Sequence, residues 1–302
     1  MLRALLCCSL ALAAFARAPA AQACACRGVG SPSAALTLSH ETWGVGLVGV
    51  SELGHGVWDG DGEYHVLGAG ERFSRETLGL TLALRVHPDW EVSIGGELVS
   101  ARVTTPSFAD ENSGMGDVHA RARWDFADEP MPHEDDFPWP AAALIGSLGA
   151  ATAEAGPNRA ASTGLGTSES AVALELVRSL PGAWQLEALG ELGVRAPDTT
   201  LGRERQLGPR ALFVLGLSHA LVPELRVGGY TSLTLEADTS YDGEVAAGSG
   251  QRLWNLSLFL VHELESLNAR ASLTLEYAPP VDGISANAIG YTGVRAAFSF
   301  AR

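Results

Sequence analysis

The chain has 302 residues, 46% of them apolar and only 18% charged, with 35 glycines and a formal net charge of −15. Apolar residues this plentiful argue against a disordered chain, and the acidic balance argues against nucleic acid as a partner, because phosphate binding wants a basic face. Beyond residue 23 no apolar run approaches the roughly 20 residues of a membrane-spanning helix.

The N-terminus reads as an export signal. Arg3 supplies a positive start, residues 4–15 an apolar stretch, and Ala21-Gln22-Ala23 a small-x-small cleavage site. The expected organisation is a signal peptide over 1–23, an N-terminal periplasmic segment over 24–40 and a β-barrel over 41–302. Cys24 and Cys26 would then open the mature chain, and they have three readings. Ala21-Gln22-Ala23-Cys24 resembles a lipid-attachment box with Ala at the position where Leu is preferred. The thiol pair could bind a soft metal such as Cu(I), or be inert in a terminal segment.

From residue 42 onward the sequence alternates between apolar and polar residues in segments of about 9–14 residues, the length of a tilted membrane-crossing strand. The segments fall near 42–51, 74–86, 90–104, 117–126, 140–151, 168–179, 184–194, 209–220, 224–236, 253–264, 269–277 and 289–300. In 74–86, Leu78, Leu80, Leu82, Leu84 and Val86 share one face with Arg75, Thr77, Gly79, Thr81 and Arg85 on the other. In 117–126, Val118, Ala120, Ala122, Trp124 and Phe126 oppose Asp117, His119, Arg121, Arg123 and Asp125. A helix of about 3.6 residues per turn would mix these sets.

Short turns at 87–90, 180–183, 221–224 and 265–268 alternate with long Gly-rich loops at 52–72, 105–115, 152–167, 197–208, 237–251 and 278–288. The turn at 127–138 is long and acidic. Short turns on one side and long loops on the other match outer-membrane barrels. The expectation is an all-β, membrane-spanning, antiparallel up-and-down barrel of about 12 strands in the bacterial outer membrane. A soluble β-sandwich or closed barrel alternates too, with its oily face turned inward. Export, loop asymmetry and aromatics near strand ends (Trp90, Trp124, Trp184, Tyr277, Phe298, Phe300) favour the membrane.

Gly114-x-Gly116-Asp117, followed by an alternating strand ending in Arg123-Trp124, resembles the proteobacterial outer-membrane transporter family named after the phenol-degradation meta-pathway. That resemblance implies a transporter-like barrel, with the glycines allowing a tight entry into the strand and Asp117 at the lumen or rim. The closing Val294-x-Ala296-x-Phe298-x-Phe300 resembles the C-terminal signal read by the barrel-assembly machinery, here followed by Ala301-Arg302.

If the oily faces meet lipid, the polar faces line a lumen. Its candidate residues are Glu97, then Asp117, His119, Arg121 and Arg123, then Glu187, Glu191 and Arg195, and finally Arg226, Arg270, Glu276 and Arg295. Such groups either pair across strands and rigidify the wall or set the selectivity of a pore. Asp59, Asp61 and Glu63 stand at alternate positions, as ligands do in calcium loops, without the distal Glu of an EF-hand. No Gly-x-Ser-x-Gly elbow occurs, and Ser218 and His219 are adjacent and so point to opposite faces; the sequence reading is therefore no enzyme and no cofactor. The expected function is a narrow conduit for small-molecule cargo. The alternative is a non-transporting barrel whose long loops bind a surface partner or ligand.

Overall fold

The computed structural model of the protein describes residues 41–128, 140–151, 163, 166–200 and 202–302. The expectations for the signal peptide, the periplasmic segment and Cys24 and Cys26 lie outside the described residues. Long strands run in chain order as β1 (Trp43–Trp58), β2 (Arg72–His87), β3 (Trp90–Thr104), β4 (Val118–Ala127), β5 (Ala141–Ala150) and β6 (Glu169–Leu180). They continue as β7 (Trp184–Arg195), β8 (Arg210–Val222), β9 (Leu225–Glu236), β10 (Gln251–Leu264), β11 (Ala269–Tyr277) and β12 (Ala288–Ala301). Each pairs antiparallel with its chain neighbours, and β12 pairs with β1 from Gly44↔Ala301 to Trp58↔Ala288, closing a 12-strand barrel. Closure leaves no edge strand open, which a bilayer requires. At the seam the Trp43 and Arg302 backbones exchange hydrogen bonds of 2.9 and 3.0 Å.

The direction of the two faces settles what alternation alone left open. Leu78, Leu80, Leu82 and Leu84 on β2 are each about half exposed, whereas Ala83 and Arg85 between and beside them are buried at 6% and 7%. The same inversion recurs around the barrel: Leu215, Leu258 and Leu275 point out, while Glu175 and Glu276 point in and are buried. A continuous apolar exterior of this size is a surface for lipid. The protein is therefore an outer-membrane barrel that crosses the bilayer with strands.

The belt ends in aromatic residues at the short-turn side. Trp90 and Trp124 stack at 5.6 Å with rings nearly parallel, Trp184 stacks on His219 at 4.6 Å, and Trp43 leans on Phe300 at 5.4 Å. These rings sit where an interfacial girdle is expected. The turn at 180–184 reverses through Gly182 and Ala183, both with positive φ, so Ala183 is a non-glycine residue in a conformation that costs it energy.

Three departures from the sequence reading concern the loops. β1 runs to Trp58 and pairs there with Tyr64–Val66, so the first loop is partly strand. The segment 105–115, read as a loop, contains a strand (Ala109–Met115) that pairs with the outer half of β3, while β4 pairs with its inner half. The change of partner falls at Gly116-Asp117. The two loops after β7 and β9 also build a separate four-stranded sheet from Asp198–Thr200, Arg203–Gln206, Ser240–Tyr241 and Glu244–Val245.

Candidate functional site: the charged interior

The interior charges gather at two ends of the barrel. Near the short turns, Arg85 lies 3.2 Å from Asp125 and 3.7 Å from Glu91 and also donates to the carbonyl of Pro88 at 2.7 Å. Arg123 donates to Asp125 at 2.8 Å and pairs with Glu175. All five side chains are almost fully buried. Near the long loops, Arg195 donates to Glu169 at 2.7 Å, and its Nη1 lies 2.7 Å from Glu236 in ion-pair contact but outside hydrogen-bond geometry. Arg210 there bridges Glu169 at 2.7 Å and Glu191 at 2.6 Å.

The other predicted residues fall on the same inward face. Arg295 donates to Glu276 at 3.0 Å, and the Tyr291 hydroxyl reaches the same carboxylate at 3.5 Å. Arg226 donates to Ser218 at 3.1 Å, and Arg270 lies 3.7 Å from Glu263. Arg121 is opposite Ser93 and Ser147, and His119 packs over Gly95, where a Cβ would come within 2.6 Å of its ring. Glu187 shares a small interior recess with Gln185, Ser218 and Tyr230. Glu97 accepts the Gly116 amide on its backbone carbonyl at 2.8 Å, and a Cβ at Gly116 would sit 2.5 Å from its Cγ. Asp117 is the half-buried residue at that break.

Sequence reasoning missed that the inner wall is not uniformly polar. Ile145, Ala173, Leu189 and Val214 form a buried apolar cluster with Leu212 and Tyr230, next to Phe259 and Val261. Leu189, Val214, Phe259 and Val261 are apolar residues on the otherwise polar faces of their segments, and these are the signals of the cluster in the sequence.

The first loop brings Asp59 and Glu63 together with His65, not with Asp61, to within 4.8 Å of one another. Asp61 offers only its amide, which donates to Asp59 at 3.0 Å; the Glu63 amide does the same at 2.9 Å. The hydrogen bond from His65, together with these amides, holds the Asp59 carboxyl below its ordinary range. The calcium expectation is corrected in its membership: the cluster is a turn closed by Asp59 acceptors.

With this geometry in place, the chain can be set against known proteins. No family model matches it, and no curated protein matches it in sequence. Among solved structures it is similar to the COG4313 outer membrane channel from Pseudomonas putida F1, with a TM-score of 0.71 at 12% identity, over 87% of this chain and 96% of that one. It is also similar to the β domain of the Bordetella autotransporter BrkA, with a TM-score of 0.50 at 16% identity, over 87% of this chain and all (100%) of that one. At these identities the likeness is one of fold, and the fold is that of bacterial outer-membrane barrels.

One expectation is corrected here. The reading that this chain is no enzyme is withdrawn, because neither a shared barrel fold nor a missing elbow motif excludes an activity.

Proposed function

We propose that the protein is a narrow outer-membrane conduit for small molecules. The observation that carries this reading is the inverted wall: charged residues from strands all round the barrel are turned inward and held in ion pairs, a lining that suits a polar solute path. The fold likeness to an outer membrane channel supports it. So does the Gly114–Asp117 motif, which resembles that of the phenol meta-pathway transporter family and in which Gly116 is pressed against Glu97. Under this reading residues 1–23 direct export, and Phe298 and Phe300 serve the barrel-assembly machinery.

Purified protein in planar bilayers is expected to give discrete conductance steps. A barrel that shows the heat-modifiable shift of a folded membrane barrel yet stays sealed at every voltage and salt tested would overturn the conduit. A second reading, a barrel whose loops bind a surface partner, is favoured by the four-stranded sheet outside the barrel, where Arg203 donates to Asp242 at 2.7 Å and lies over the Tyr241 ring. Deleting 237–251 separates the two: partner binding would be lost while conductance survives.

A further inference from the structure

The outer end of the barrel carries a groove on its lipid side. Leu192, Ala211, Leu235 and Arg252 stand in register on β7, β8, β9 and β10, and Arg252 bridges on to Ala286. Their parity is that of the exposed Leu258 and Leu215, so this row is the top course of the lipid-facing wall. Above it Gly60, Asp238, Gly248 and Asn287 form an overhang, tied together by hydrogen bonds from Asn287 to the Gly248 and Gly250 carbonyls, each at 2.7 Å. The space between row and overhang is about 560 Å³.

The charges lining this groove are mostly spent. Arg210 and Glu236 turn inward to their ion pairs, and Asp238 accepts the Gly250 and Gly248 amides at 2.6 and 3.2 Å. Arg252 is different. Among the described residues it has no carboxylate partner; it donates to the Gly283 carbonyl at 2.9 Å, and its Nε–H is buried without an acceptor. Two residues further down β10, Trp254 donates its indole N–H to Thr231 at 2.7 Å on the outer wall. An aromatic ring with a polar tip marks the membrane–water boundary. Arg252 then stands about 7 Å above it, by the rise of two strand residues, at headgroup height.

An apolar floor continuous with the lipid belt, a cation with no carboxylate partner among the described residues at headgroup height and a roof of loops together define one kind of occupant. We infer that the groove holds an outer-leaflet lipid with an anionic phosphate headgroup, its chain against Leu192 and Leu235 and its phosphate on Arg252. This is independent of whether the lumen conducts.

The test is native mass spectrometry of the full chain in detergent, titrated with lipid A or with phosphatidylethanolamine. The wild type is expected to retain lipid A preferentially, and Arg252→Ala to lose that retention about tenfold while keeping its heat-modifiable gel shift. Equal retention of the two lipids by the wild type, a reading that needs no variant, would overturn the inference. So would unchanged retention by Arg252→Ala, or displacement of lipid A by millimolar inorganic phosphate, which would make the site one for a free anion.

Discussion

Arg123 on β4 reaches across the full width of β5 to pair with Glu175 on β6. The intervening strand makes this possible by placing Ala143, a side chain of one methyl, in register with both Asp125 and Glu175. The guanidinium thus sits between two carboxylates, Asp125 and Glu175, all three nearly without solvent.

Removing one member leaves a buried charge short of a partner. Glu175→Ala is expected to destabilise the folded barrel by about 3–5 kcal/mol, read as a shift in the urea midpoint of the protein refolded into lipid. Replacing both Arg123 and Glu175 by Leu is expected to recover much of that loss, because breaking a buried pair costs more than substituting it. A double variant as unstable as the single one would show that the network matters for more than charge compensation.

Gly116 and Gly114 of the motif are predicted to differ. A Cβ at Gly116 would collide with Glu97 at 2.5 Å, whereas at Gly114 the closest atom among the described residues is Thr163 Cγ2 at 4.0 Å. Gly116→Ala is expected to cost about 1–3 kcal/mol, as overpacking does, and to lower the yield of heat-modifiable barrel. Gly114→Ala is expected to behave as wild type. Equal effects would remove the steric account of the motif.

The first loop should loosen in acid. Asp59 is held below its ordinary value of 3.8, mainly by the His65 hydrogen bond. A depressed carboxyl contributes order that is complete above the ordinary value and is lost as the pH falls through the lower, folded value. Hydrogen exchange at the Asp61 and Glu63 amides, which both donate to Asp59, is therefore expected to lose protection, relative to intrinsic rates, only below about pH 4. Asp59→Asn should reduce that protection already at neutral pH.

The strands were legible because each alternates over its whole crossing: 184–194 was read within a residue of β7, and 269–277 coincides with β11. The direction of the faces was not legible in the alternation itself, since period two is the same whichever side is wet; loop asymmetry and the aromatics near strand ends pointed to it. Ion pairing across strands was legible as a class, but no single pair was; Glu263 and Arg270, cross-strand neighbours, are one that the fold supplies. Arg123 and Glu175 are separated by a strand, and the groove at Arg252 joins loops far apart in sequence, so neither leaves a local pattern to read. Asp59 was singled out for its spacing from Asp61, yet a tight turn sends the Asp61 side chain into solvent and brings in His65.

The inverted faces make the sharpest prediction. Leu258 on β10 and Val245 in the outer loop are both 67% exposed, and in water an arginine at either would be tolerated alike. Leu258, however, lies midway along β10, between Gly229 and Leu275 on the lipid-facing wall. Leu258→Arg is therefore expected to cost about 2–4 kcal/mol, the range for a charge on the lipid face near the midplane of a barrel. Val245→Arg, above the membrane, is expected to stay within about 0.5 kcal/mol of wild type, as exposed substitutions do. Urea unfolding in lipid vesicles measures both. Two substitutions with equal, small effects would mean that the exposed leucines do not face lipid, and the membrane-crossing assignment would fall with them.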